Sequence, residues 1–98
     1  MQLAELLKDW PCSVKGSIRE EVFRIEDTVS NVQSGDLYIA RKGRKHDGKK
    51  WIDKAIERGA KAIVVDEEVF FDGYISEVPI IWVPNILQFS AYASAKLC

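Results

Sequence analysis

Apolar positions recur along the chain in two rhythms, and the changes between them mark out the elements. Leu3, Leu6, Leu7 and Trp10 follow one another at helical spacing until Pro11, so residues 2–9 predict a short amphipathic helix. The text is mixed from Val14 onward, but it ends in alternation, with Phe23 and Ile25 set against Arg24 and Glu26, as in a half-buried strand. Residues 27–35, DTVSNVQSG, are a turn-rich connector, and residues 36–40 then read as a buried strand. Helical spacing returns with Trp51, Ile52, Ala55 and Ile56 on one face and Lys50, Asp53, Lys54 and Glu57 on the other. Asp47 is placed to cap the start of that helix and Gly59 to stop it.

The β-branched run at residues 60–65 is too short for a helix and too apolar for an edge, so it predicts a central strand. An acidic, aromatic loop over residues 66–77 leads to another strand at 78–83. Asn85 then opens a helix carrying Ile86, Leu87, Phe89, Ala93 and Leu97. Strand, helix and strand between residues 36 and 65 make a βαβ unit with a right-handed crossover. The fold class is therefore α/β: a small, mostly parallel sheet with flanking helices. Ninety-eight residues form one such domain, without internal repeat. The last helix meets no stop signal before Cys98, which reads as a connector or a chain that continues.

Composition agrees with a folded domain: 47% hydrophobic and 30% charged residues, with a net charge of -1 and a pI near 5.8. The charge is uneven, however. Residues 41–50 hold six of the fourteen Lys and Arg and the single His against one acid, Asp47, a basic spot on an acidic body. Nucleic-acid binding wants a broad basic face or exposed aromatics among the bases, whereas Trp51 falls on the apolar side of its helix. No nucleic-acid partner is expected. Cys12 and Cys98 lack C-x-x-C spacing and His neighbours, and read as free thiols. The opening MQLAELLKDW has no long apolar run, so neither a signal peptide nor a membrane span is expected, and the cytoplasm is the default location.

The basic spot contains Gly43-Arg44-Lys45-His46-Asp47-Gly48-Lys49-Lys50, which has the spacing of a P-loop up to its last position. There Lys50 replaces the hydroxyl that would hold magnesium, and bulky charged residues fill the loop, so an autonomous nucleotide hydrolase is disfavoured. A loop at the carboxyl end of a strand and before a helix N-terminus is still where open α/β sheets bind anions. Arg44, Lys45, His46 and Lys49 would bring charge to such a site; the plain alternative is a solvated basic face. His46 has no Ser, Cys or second His to work with, so it fits a phosphate donor rather than a catalyst or metal ligand, and no catalytic or metal residue is assigned.

The run Val32-Gln33-Ser34-Gly35-Asp36-Leu37-Tyr38-Ile39-Ala40, continued by Lys42-Gly43, Asp47-Gly48, Ile52, Ala55-Ile56 and Gly59-Ala60, resembles the N-terminal domain of the Mur ligases. That family has the same ordered pattern: V-x-x-G-D-L-F-V-A, then a Gly, a D-G pair, an aromatic with Ile, A-I, and G-A before an apolar strand. The resemblance runs over roughly residues 1–97. The Leu-rich opening, Leu3 to Leu7, is most similar to the member that adds the third residue to UDP-N-acetylmuramoyl-dipeptide; the sister ligase that adds the terminal dipeptide shares most of the pattern.

The resemblance implies a domain that binds the uridine diphosphate end of UDP-N-acetylmuramoyl-dipeptide and is inactive alone. It implies no cofactor here, with ATP and Mg2+ belonging to a following ATPase domain and the incoming amino acid to a last domain. In the family, ligation proceeds through an acyl phosphate attacked by an amine. It also implies that Lys42, Gly43, Arg44, Lys45 and His46 lie against the uracil and diphosphate, with Thr28 and Ser30 on the uridine side. The chain departs from the pattern just before Val32, where the family carries Asp-Ser-Arg and this sequence has Thr28-Val29-Ser30, with Asp27-Thr28 imitating Asp-Ser after a one-residue shift. A member that has lost uridine binding and serves as an interaction module, through the loop over residues 66–74, is the alternative reading.

Overall fold

The computed structural model describes residues 1–40, 48–68, 71 and 76–97. In chain order the elements are α1 (Leu3–Leu7), β1 (Ser13–Lys15), β2 (Arg24–Glu26), a 3-10 turn (Val29–Asn31), β3 (Asp36–Ile39), α2 (Gly48–Glu57), β4 (Ala62–Val65), β5 (Ile80–Trp82) and α3 (Ile86–Leu97). Among the described residues, five strands form one sheet in the order β1-β5-β4-β3-β2. β2 to β5 are mutually parallel, and β1 closes one edge antiparallel to β5. The mostly parallel α/β sheet expected from the sequence is what forms, with β4 at its centre. The pairing of Leu37 with Ala62 and Val64 with Ile81 keeps the alternation of all three inner strands in step.

That register sorts side chains into two cores. Leu37, Ile39, Ala62, Val64, Ile81 and Val83 face α1 and α3, meeting Leu3, Leu6, Phe89 and Ala93. Tyr38, Ile63, Val65 and Ile80 face the other way, toward Ile52 and Ala55 of α2 and toward Val29 and Val32 beside the 3-10 turn. A strand buried on both faces has to be apolar throughout, which is why residues 62–65 show no polar alternation. Asn85 caps α3, its Oδ1 accepting the Gln88 N–H at 3.0 Å. Tyr92 of α3 donates its hydroxyl to the Leu6 carbonyl at 2.7 Å, tying the two helices on that face together.

Three expectations need adjustment. The first helix is confined to Leu3–Leu7; Trp10 lies beyond it and stacks on Tyr92 with ring centroids 4.4 Å apart. Phe23 is 63% exposed rather than buried with Ile25, because it precedes an edge strand and lies across Gly35, where a Cβ would come within 2.7 Å of its ring. β1 falls at the start of the mixed text that begins at Val14 and has no alternation of its own to mark it; its three residues expose both flanks of Val14. The proposed cap Asp47 lies outside the described residues.

Gly59 ends α2 as expected, at φ +105°, a region that side chains rarely adopt. A Cβ there would approach the Ser34 Cα to 2.8 Å, and the Gly59 carbonyl accepts the Gly35 N–H at 3.0 Å. Gly59→Ala should therefore cost about 1–3 kcal/mol in a urea unfolding experiment. An unchanged midpoint would show that this turn tolerates a different backbone.

Candidate functional site

Because β2, β3, β4 and β5 are parallel, their carboxyl ends share one edge of the sheet. Thr28 and Ala40 each lie two residues beyond the Glu26–Tyr38 pair, so the segment leaving β2 and the segment leaving β3 start side by side. Ala40 is still held to the sheet, its N–H donating to the Val64 carbonyl at 2.9 Å. Carboxyl edges of this kind are where open α/β sheets receive ligands, since loops diverge there and helix N-termini point toward them. α2, which runs from Gly48, begins after the segment that leaves β3.

Thr28 is half-buried and Ser30 exposed. The Thr28 N–H donates to Glu26 Oε2 at 3.1 Å, and its hydroxyl donates to Asp27 Oδ1 at 3.3 Å. Because it donates in this bond, the Thr28 oxygen keeps its acceptor lone pairs, and a 3.3 Å bond is long enough for the hydroxyl to be re-aimed. Val29 points inward and packs under α2, which leaves Ser30 at the outer side of the turn. The other residues assigned from the sequence, Lys42, Gly43, Arg44, Lys45 and His46, lie outside the described residues. Lys50 is described and exposed, and it stands where a P-loop would need its magnesium hydroxyl.

Two guanidinium groups grip the backbone of this turn, and sequence periodicity gave no sign of either. Arg24 Nη2 donates to the Asn31 carbonyl at 2.9 Å. Arg58, at the end of α2, donates through Nη2 to the Ser30 carbonyl at 2.9 Å and through Nε to the Val32 carbonyl at 3.3 Å. Arg24 is itself fixed by Asp36, which is 1% exposed: Nε meets Oδ1 at 2.9 Å and Nη2 meets Oδ2 at 2.8 Å. The Gln33 N–H adds a third donor to Asp36 Oδ2 at 2.8 Å. A bidentate Arg–carboxylate pair is planar and directional, so it holds the turn in one orientation. Arg24 meets Asp36 because the parallel pairing of β2 with β3 sets them opposite each other, a register that sequence periodicity does not report.

Among the described residues, no group of three His, Cys, Asp or Glu side chains is arranged to hold a metal. Cys12 is a free thiol whose pKa burial pushes upward, so it is less reactive than an open cysteine. It packs against the α1–α3 core, away from the carboxyl-edge turn. Cys98 lies outside the described residues. Among the described residues no helix is long and apolar enough to cross a membrane.

With the geometry in place, comparison with known proteins gives a consistent result. The Mur ligase family, catalytic domain, matches residues 29–94. A UDP-N-acetylmuramoyl-L-alanyl-D-glutamate--2,6-diaminopimelate ligase from Clostridium tetani is 31% identical over 97 residues, covering 98% of this chain and 20% of the relative. The protein of the same name from Chlamydia caviae is 35% identical over 97 residues, covering 98% of this chain and 19% of the relative. Among solved structures, a UDP-N-acetylmuramoylalanyl-D-glutamyl-2,6-diaminopimelate--D-alanyl-D-alanyl ligase from Acinetobacter baumannii has the same fold. Its TM-score is 0.58 at 18% identity, over 90% of this chain and 18% of that one. The chain thus spans about a fifth of the length of the curated relatives it matches. A family match across most of the sheet, on a fold shared with a solved relative, shows that the chain belongs to the Mur ligase family.

Proposed function

We propose that this chain holds the uridine diphosphate end of a UDP-N-acetylmuramoyl-peptide within an ATP-dependent amide ligase of peptidoglycan precursor synthesis. The observation that carries this reading is the convergence at the carboxyl edge: Thr28 leaves β2 beside the residue from which the basic stretch leaves β3. The Thr28 and Ser30 hydroxyls and the turn amides suit the hydrogen-bonding edge of uracil, while Arg44, Lys45 and His46 suit diphosphate charge. The names of the relatives, which contain UDP-N-acetylmuramoyl-L-alanyl-D-glutamate, support the same substrate class. The substrate partner is UDP-N-acetylmuramoyl-dipeptide. ATP and Mg2+ belong to a further ATPase domain, where the activating chemistry takes place, and this chain contributes binding and orientation only.

Calorimetric titration of UDP and of uridine into the chain tests this. UDP should bind more tightly than uridine, and added salt should narrow the difference by screening the diphosphate. The double variant R44A/K45A should lose about tenfold in UDP affinity while uridine binding stays level. A parent chain indifferent to UDP would contradict the proposal and favour the interaction module instead.

A further inference from the structure

The turn that carries Thr28 and Ser30 is held by two guanidinium groups that come from outside it. Three successive carbonyls, those of Ser30, Asn31 and Val32, accept from Arg58, Arg24 and Arg58 respectively. Arg24 also reaches the near side of the turn, its Nη1 lying 3.5 Å from Glu26 Oε1. The other oxygen of that carboxylate, Oε2, receives the Thr28 N–H. Asp36, Arg24, Glu26 and the Thr28 amide therefore form one connected chain from the buried sheet to the first residue of the turn. Arg24 closes it on the far side through Asn31.

We propose that Arg24, anchored on buried Asp36, is the positioning residue for the uridine side of the site, acting from β2 on the turn that follows it. It touches no ligand; it fixes where Thr28 and Ser30 present their hydroxyls. The role needs a guanidinium, because a carboxylate and a carbonyl must be spanned at once in one plane, and a lysine ammonium is a point charge that cannot keep that fork. This inference rests on the UDP-binding reading given above.

The test measures binding of UDP, uridine and inorganic pyrophosphate to the parent chain and to Arg24→Lys. R24K should weaken UDP and uridine by about tenfold, as expected for the loss of a charge-assisted hydrogen bond that orders the site. Pyrophosphate binding should stay unchanged, because pyrophosphate lacks the uridine that this turn is proposed to receive. Equal UDP affinity in R24K, or a parallel loss for UDP and pyrophosphate, would overturn the positioning role while leaving the UDP reading intact. A parent chain that binds no UDP would overturn that reading, and this inference with it. If R24K does not fold, Asp36→Asn removes the anchor's charge at nearly constant shape and carries the same expectations.

Discussion

Arg24→Ala should lower the unfolding free energy of the chain by about 3 kcal/mol, read as a drop in the urea midpoint at unchanged slope. The reason is asymmetry of burial. Side-chain exposure is 44% for Arg24 but 2% for Asp36, so removing the arginine leaves a carboxylate that water does not reach. Only the Gln33 N–H would remain on it among the bonds described. Arg24 is itself partly solvated, which keeps the loss at the lower end of that for a broken buried pair. Replacing both residues by apolar groups of similar size should restore much of the loss, since no uncompensated charge is then left inside. A loss well under 1 kcal/mol for R24A would mean that the pair behaves as an ordinary surface ion pair and holds nothing in place.

Phe89→Ala is the second large expected effect, at about 3–5 kcal/mol. Phe89 is fully buried on the face of the sheet covered by α1 and α3. Its ring meets Trp10 edge-on at 5.8 Å and lies 6.0 Å from Tyr92. Truncation would remove the ring's transfer free energy and leave a cavity between the sheet and both helices, which relax only partly around it. A domain of this size has a total stability of about 5–15 kcal/mol, so the variant loses a large share of it and should unfold at a markedly lower urea concentration. Phe89 packs on the face of the sheet opposite Val29 and Val32 of the turn, so any folded fraction should bind UDP as the parent does. A fully folded variant with an unchanged midpoint would show that α3 contributes little to the core.

Much of the fold was legible because two cores demand two rhythms. Residues 62–65 are apolar without alternation because they are buried on both faces, and Trp51, Ile52, Ala55 and Ile56 recur as a helix because α2 covers one face only. Gly59 was legible as a stop because a positive φ there excludes a side chain. What escaped was set by contacts distant in sequence. β1 is three residues long and owes its conformation to β5, and Phe23 is placed by the missing Cβ of Gly35 rather than by its own alternation.

At the proposed site, Thr28 and Ser30 were assigned through the resemblance, and they fall at the carboxyl edge of the sheet, where open α/β sheets receive ligands. The two arginines that hold their turn were not found. Arg24 and Arg58 bond to backbone carbonyls, and a carbonyl acceptor has no residue type to announce it. Position 30 holds a serine, but in space a guanidinium from the preceding strand already bonds the turn.

The most direct measurement is an amide shift map of the chain titrated with UDP. Displacements are expected at Thr28, Val29, Ser30 and Ala40 and in the first turn of α2, with the amides of Leu6, Phe89 and Tyr92 unmoved. Saturating UDP that shifts nothing, or that shifts only the α1–α3 face, would contradict it.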